Sequence, residues 1–342
     1  MPQAFHWKFF GKLFLIAATL YSQPLQCSDL SALFTALERP ELLKTNMALQ
    51  TWAQELISAY APKYWFDTDD VGPSDPLQFI FNSSLWFRKP GTADRMMAER
   101  GSFGPLDLPL VWNDPGPARP SDSLTGQGLY LRYERYENSG ATTNRSPTAS
   151  AWEGTPVLWR LGARIRDDLF IIEYWFHSDF SRGGPFGLGA HQGDWEGVAA
   201  LVRAGFPEPE VFTHRLIAMY FAAHNRGSWT CAQDMEWTRD ENGQLHPEAF
   251  AALGSHATYS KPGSHWNRMY WENASRGRPW NTWKTLRPLV LEPYFGFSGG
   301  WGQANIFAFR SGPMPPSSFK KMPNENLPSC PSRPTSISSP RD

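Results

Sequence analysis

Proline and glycine recur so often in this chain that few long helices can form. The 342 residues include 30 Pro and 28 Gly, and both residue types interrupt regular structure or introduce turns. The apolar segments after Pro62 are short, as at residues 157–165, 169–176 and 216–223. Short strand-like runs separated by turn residues are typical of all-β domains. We therefore predict a mainly β fold, a β-sandwich with N-terminal helices and long loops.

The segment before Pro62 has a helical pattern instead. Its apolar residues recur at the spacing of one helix face: Met47, Leu49, Trp52, Ala53, Leu56 and Ile57. We predict a helical segment at 28–61 packed on a β-sandwich domain at 62–316, with a Pro/Ser-rich tail at 317–342. One further short helix is expected at 246–253, ended by Gly254.

Residues 1–27 are predicted to form a secretory signal peptide. Lys8 and Lys12 precede an apolar run at 13–20, which is shorter than the roughly 20 residues that a bilayer requires. A buried N-terminal helix is the alternative interpretation. We therefore expect a protein that is secreted or otherwise exported through the secretory pathway.

Two cysteines would remain after removal of this segment, Cys231 and Cys330. In an oxidising compartment they are expected to form one disulfide, the alternative being two unrelated thiols. The net charge of the chain is −1, and no stretch is strongly basic. We therefore expect no nucleic-acid partner.

The hexapeptide HQGDWE at residues 191–196 carries the clearest chemical signal. On a strand, Asp194 and Glu196 point to one face and Trp195 points to the other. Two adjacent carboxylates repel each other, so a cation between them would favour the ionised state of both, and His191 can complete such a cluster. The alternative is that the carboxylates accept hydrogen bonds from loop amides or Arg, while His191 caps a turn.

Two further candidate ligands stand at the ends of neighbouring apolar segments. The run at 170–179 ends in Asp179, and the run at 216–224 ends in His224. If both strands flank the motif strand, five side chains converge on one metal site: Asp179, His191, Asp194, Glu196 and His224. Carboxylates suit Ca²⁺ or Mg²⁺, whereas two imidazoles favour Mn²⁺ or Zn²⁺.

A second motif, GSHATY at residues 254–259, contains His256. This imidazole is expected either to bind the metal or to support its ligands; a structural His held by backbone hydrogen bonds is the alternative. Tyr259 and Trp195 are further residues expected in the second shell or at the ligand. The sequence GFSGG around Ser298 matches a serine-hydrolase motif, but no His follows it, so we assign no catalytic residue.

Several of these segments together resemble one protein family. They are YAPKYWFDTDDVGPSDP, EYWFHSDF, HQGDWEGV, LGSHATYSKPGSHW, GFSGGWG and SGPMPP. The chain resembles the vacuolar protein sorting-associated protein 62 family from about residue 60 to residue 316. GDWE together with GSHATY is the most specific part of this resemblance.

A more distant resemblance is to the necrosis- and ethylene-inducing-peptide-like proteins, which carry GHRHDWE on a β-sandwich. That resemblance implies a divalent cation near a sphingolipid head-group site, held by the five predicted ligands named above. It favours Ca²⁺ or Mg²⁺. Gly193 stands here where those toxins have a second His, which puts cation affinity and lipid contact in question.

These observations favour a secreted, divalent-metal-binding β-sandwich protein that recognises a glycan or glycolipid head group at a membrane or cell surface. Trp229, Trp237 and Trp266 are candidates for stacking on sugar rings. One alternative is a metal-assisted hydrolase with Glu196 or His256 as base. Among these interpretations, an enzyme is less favoured than a binding protein. The other alternative is a trafficking or structural protein whose metal only holds loops together.

Overall fold

The computed structural model describes most of the chain between the two termini. Described are residues 30–89, 92–111, 128–134, 152–183, 190–208, 211–224, 226–268, 270–297, 299–302, 316, 322 and 326–330. The predicted signal peptide at 1–27 lies outside the described residues, as does most of the predicted tail at 317–342.

Helices dominate only the first part of the described chain. The α-helices are α1 (Leu30–Glu38), α2 (Met47–Tyr60), α3 (Pro76–Phe81) and α4 (Leu108–Val111), and 3-10 helices occupy Pro40–Thr45, Ala232–Asp234, Thr282–Lys284 and Leu289–Leu291. Asn46 caps α2, because its side-chain oxygen accepts a hydrogen bond from the Leu49 amide at 3.1 Å. No helix among the described residues is both long and apolar enough to cross a bilayer.

The remaining described elements are strands. They are β1 (Lys63–Phe66), β2 (Ser83–Arg88), β3 (Arg95–Ala98), β4 (Gly128–Tyr133), β5 (Val157–Arg166), β6 (Leu169–Ser181), β7 (His191–Glu208), β8 (Val211–Ala223), β9 (Arg226–Cys231), β10 (Trp237–Arg239), β11 (Leu245–Ala251), β12 (Thr258–Tyr259), β13 (Gly263–Trp266), β14 (Trp271–Ala274), β15 (Arg278–Asn281), β16 (Leu286–Pro288) and β17 (Gly300–Trp301).

A six-stranded sheet in the order β16-β5-β6-β7-β8-β9 forms the centre of the fold. A five-stranded sheet has the order β10-β11-β1-β15, with β12 paired to β11, and a four-stranded sheet has the order β17-β4-β2-β3. Strands β13 and β14 pair with each other as a separate hairpin. Most pairs are antiparallel, but β1 runs parallel to β11, β16 to β5, and β17 to β4.

Both faces of the central sheet are buried, and this explains its sequence. On β6 and β7, Phe176 and Val198 pack in one apolar core with α1, α2 and β1. The alternate residues Trp175 and Trp195 pack in a second core with β2 and β4. A strand covered on both sides reads as a continuous apolar run rather than as an alternating one. The predicted mainly β, sandwich-like fold with N-terminal helices is confirmed.

The short helix expected at 246–253 is wrong, because these residues form most of β11. This strand pairs with β10 on one edge and with β1 on the other. Its residues from His246 to Ala251 are buried, so sheet pairing prevails over a helical pattern that is only two turns long. The predicted disulfide is confirmed: Cys231 at the end of β9 is bonded to Cys330, with their Cα atoms 5.7 Å apart.

Candidate functional site

The HQGDWE motif begins β7, with β6 and β8 on either side. Asp194 lies opposite Ser178 on β6, and Glu196 lies opposite Phe176. Both carboxylates are almost fully buried, with 4% and 2% of their surface exposed. They lie on the face of the central sheet that packs against β1 and the helices, because Val198 on the same side belongs to that core.

Trp195 points to the opposite face and is fully buried. Its ring lies 5.0 Å from the ring of His177 and 5.0 Å from that of Trp301. This residue therefore belongs to the aromatic core behind the carboxylates, on the side away from them.

Asp179, the first predicted ligand, also lies toward this second face. Its neighbour Ser178 is the residue that faces Asp194 across the strand pair. The Tyr133 hydroxyl donates a hydrogen bond to Asp179 Oδ2 at 3.2 Å. The structure therefore does not bring Asp179 together with Asp194 and Glu196.

His191 is the first residue of β7, and its side chain contacts the backbone two residues further along the same strand. Its Nδ1 atom is 2.6 Å from the Gly193 carbonyl oxygen. Gly193 has a φ of 62°, and a Cβ atom there would lie 2.3 Å from the Trp301 carbonyl oxygen. The close approach of β17 thus leaves room for glycine only at this position.

His256 links Asp194 to a residue that the sequence analysis did not assign to the site, Asp70. Its Nδ1 atom is 3.0 Å from Asp194 Oδ2, and its Nε2 atom is 3.3 Å from Asp70 Oδ1. Both His256 and Asp70 are fully buried. Burial alone would lower the pKa of His256, but the charges of Asp70 and Asp194 outweigh it and raise the pKa to about 10. His256 is therefore an imidazolium between two carboxylates.

Asp70 itself remains ionised. Burial favours its protonated form, but the His256 charge and the amides of Val71 and Gly254 hold its pKa below the usual range. Asp70 lies in the segment DTDDVGPSDP, which carried part of the family resemblance. That resemblance was the signal that could have assigned Asp70 to the site.

A second pair joins the partly exposed His224 to the buried Glu272, a residue that the sequence did not assign to the site. His224 Nε2 is 2.9 Å from Glu272 Oε1, and the Tyr259 hydroxyl donates to Glu272 Oε2 at 2.5 Å. Burial lowers the pKa of His224, but Glu272, with smaller effects from Glu196 and Asp194, raises it above its usual value. His224 therefore links this pair electrostatically to the carboxylates of β7. Glu272 stands alone in its sequence segment, so no motif pointed to it.

The cluster opens to solvent beside His224, whose side chain is 39% exposed. Tyr270 lies next to it, with ring centroids 6.5 Å apart, and Tyr259 stacks on His265 at 3.8 Å. Of the three tryptophans considered for sugar stacking, Trp229 and Trp237 pack against the two cores. Trp266 is 54% exposed.

We define the acidic cluster as Asp70, Asp194, Glu196, Glu272, His224 and His256. These six side chains combine four carboxylates with two imidazoles, of which His256 is protonated. The oxygen donors are of the type that hard divalent cations prefer. In their present contacts, however, no three His, Cys, Asp or Glu side chains of the described residues form a group that could hold a metal ion.

Comparison with known proteins supports the principal resemblance over one part of the chain. The family model of vacuolar protein sorting-associated protein 62 matches residues 186–269, which contain both HQGDWE and GSHATY. No curated protein matches the chain.

Among solved structures, the chain is similar to one titled "Crystal structure of non-toxic HaNLP3 protein", with 13% sequence identity and a TM-score of 0.25. The match covers 42% of this chain and 55% of that chain, so the chain spans about half the length of the protein that it matches. That protein is of the class named by the more distant resemblance.

Proposed function

We propose that this protein binds a divalent cation at Asp194, Glu196 and Glu272 and thereby recognises a glycan or glycolipid head group at a membrane or cell surface. The observation that carries the proposal is the burial of three carboxylates, Asp194, Glu196 and Glu272, with 4%, 2% and 4% of their surface exposed. Buried like charges are costly unless an opposite charge lies between them. A divalent cation supplies that charge.

The donor set favours Ca²⁺ or Mg²⁺, because carboxylate oxygens are their preferred ligands. His224 can contribute an imidazole once its contact with Glu272 is exchanged for the cation, and such a nitrogen also suits Mn²⁺ or Zn²⁺. Asp179 and His191 remain predicted ligands. They would join the site only if their contacts with Tyr133 and Gly193 were exchanged as well.

The position of the opening supports recognition of a hydroxyl-rich ligand. His224 is the most exposed member of the acidic cluster, and Tyr270 lies beside it. A sugar hydroxyl entering there can provide a further oxygen ligand to the cation, while the Tyr270 ring offers an apolar face. The Cys231–Cys330 disulfide is in line with the secretory pathway that a cell-surface role requires.

Binding without turnover is favoured over hydrolysis by the contacts of His256. Both of its ring nitrogens face carboxylates, and its pKa of about 10 keeps it protonated near neutral pH. A protonated imidazole cannot act as a general base. Glu196 remains the alternative base of a metal-assisted hydrolase.

The proposal is tested by thermal unfolding with and without Ca²⁺, Mg²⁺, Mn²⁺ or Zn²⁺, after treatment with a chelator. A cation that binds only the folded protein adds about 2.7 kcal/mol of stability at a hundredfold excess over its Kd. We expect the melting temperature to rise for the wild type and not for Asp194→Asn/Glu196→Gln. The matched control is Asp167→Asn/Glu241→Gln, which removes two exposed carboxylates. The absence of any shift in the wild type would contradict the proposal.

The same variants distinguish the proposed glycan binding from the two alternatives, a metal-assisted hydrolase and a protein with a structural metal. Under the proposal, binding to immobilised glycans requires the cation and is lost in Asp194→Asn/Glu196→Gln. Cation-dependent ester or glycoside hydrolysis that Glu196→Gln abolishes while retaining the metal would favour a hydrolase. If the double variant retains glycan binding and loses only stability, the metal is structural.

A further inference from the structure

We infer that the β13–β14 hairpin docks this protein on an anionic lipid membrane. The docking surface consists of Trp266 and Trp271 on the outer face of the hairpin, with Lys261 and Arg268 beside them. This inference goes beyond the proposed cation site, and it does not require any metal to be bound.

The register of the hairpin divides its side chains into two faces. His265 pairs with Glu272, and on this inner face Glu272 is buried while His265 stacks on Tyr259. Trp266 pairs with Trp271 on the outer face. Neighbouring residues of a strand alternate between faces, so the two indoles project away from the acidic cluster.

The two indoles are unusually exposed for this chain. Trp266 is 54% exposed and Trp271 is 63% exposed, and they are the only exposed tryptophans among the described residues. Their ring centroids are 5.5 Å apart with an interplanar angle of 53°. Because the rings are tilted, they do not form one flat platform for a sugar ring. Exposed indoles are instead well suited to the interface between lipid head groups and acyl chains.

The exposed charged side chains of the hairpin segment itself are basic. Within residues 252–276 the sequence contains a single acid, Glu272, and it is buried against His224 and Tyr259. Lys261 and Arg268 are exposed on the same segment. Arg226, also exposed, follows His224 on the adjacent turn. A basic surface around exposed indoles, on a chain with net charge −1, is complementary to an anionic membrane.

The geometry therefore favours a lipid surface over a soluble glycan or a second copy of this chain. A tilted indole pair can enter the interface of a bilayer while Lys261, Arg268 and Arg226 contact anionic head groups. Attraction of this kind weakens as salt screens the charges.

The test is cosedimentation of the full-length protein with vesicles of phosphatidylcholine, with or without phosphatidylserine, at low and high salt, each with and without a chelator. We expect binding to the vesicles that contain phosphatidylserine and at least about tenfold weaker binding at high salt. Trp266→Ser/Trp271→Ser and Lys261→Ser/Arg268→Asn should each weaken binding by at least about tenfold. The control Met96→Ser/Leu291→Ser removes two exposed apolar side chains elsewhere and should bind like the wild type.

Several results would overturn the inference. They are failure of the wild type to bind phosphatidylserine vesicles, equal binding to neutral vesicles at all salt concentrations, and unchanged binding of the Trp double variant. Dimerisation of the wild type that the Trp variant abolishes would instead assign this face to a second copy. If vesicle binding disappears with the chelator or in Asp194→Asn/Glu196→Gln, the cation site and not the hairpin contacts the membrane. Circular dichroism and melting temperatures establish that each variant is folded.

Discussion

Gly193 shows how a single residue shapes the candidate site. Its left-handed φ and its approach to the Trp301 carbonyl oxygen bring β17 against the motif. From the sequence, this glycine was only a departure from the toxin motif. The constraint on this position comes from Trp301, more than a hundred residues away, so no local pattern could reveal it.

Gly193→Ala is expected to destabilise the protein by about 3 kcal/mol or more, because a left-handed φ and a steric clash add to each other. The control is Gly243→Ala, whose φ is also positive at 81° but whose Cβ would meet no atom within 4 Å. This control should cost about 1–2 kcal/mol. Urea unfolding of both variants measures the difference, and equal losses would contradict the role assigned to the Trp301 contact.

His256→Gln is expected to cost about 3–5 kcal/mol, because it leaves Asp70 and Asp194 buried without the imidazolium between them. Adding Asp70→Asn removes one of these charges and should restore part of the loss. The free energy of unfolding is measured by denaturant titration in the presence of a chelator. A double variant that is less stable than the single variant would show that charge repulsion is not the cause.

At the scale of elements, the sequence predicted a strand well where the strands next to it along the chain were also apolar runs. Strands β6, β7 and β8 were recognisable as consecutive runs, and they are adjacent in the central sheet. The period of two correctly placed Asp194 and Glu196 on one face and Trp195 on the other. This alternation could not place Asp179 relative to Asp194 and Glu196, because their relative position depends on the register between β6 and β7. Nor could it reveal Asp70, which lies in the loop after β1, or Glu272, which lies on β14.

The disulfide attaches the segment at 326–330 to the end of β9. Cys330 also packs against the second apolar core. Replacing both cysteines by Ser is expected to lower the free energy of unfolding by about 2–4 kcal/mol, because the unfolded chain regains the freedom of a long loop. Guanidinium unfolding of the double variant is the measurement. Reduction of the wild type should give the same loss, and a reduced protein as stable as the oxidised one would contradict this prediction.

At the scale of the whole molecule, the two faces of the central sheet carry different kinds of side chains. One face carries the aromatic core around Trp195 and Trp301. The other combines an apolar core with the acidic cluster at its end. Composition predicted a β-rich molecule because turns were frequent. It could not predict how the described strands pair into the central sheet and the three others, since the strands that pair with β1, namely β11 and β15, are distant in sequence.

The contribution of His246 to stability should fall as the pH decreases through about 6.5. His246 is fully buried, stacks on Trp283 and has a pKa lowered by burial. The unfolded chain takes up a proton at this position before the folded protein does, so acid favours unfolding. His246→Asn retains a side-chain amide but cannot titrate, and we expect a smaller loss of stability between pH 7 and pH 5. Denaturant unfolding at both pH values measures this, and an unchanged pH dependence would exclude the role of His246.

The central claim is that the acidic cluster holds a divalent cation, and anomalous diffraction from a crystal soaked in Mn²⁺ tests it most directly. We predict a single strong peak bounded by the carboxylates of Asp194, Glu196 and Glu272, with the His224–Glu272 contact rearranged. The Asp194→Asn/Glu196→Gln variant should lack this peak. A wild-type crystal without a peak in the cluster, in which His224 still contacts Glu272, would contradict the account.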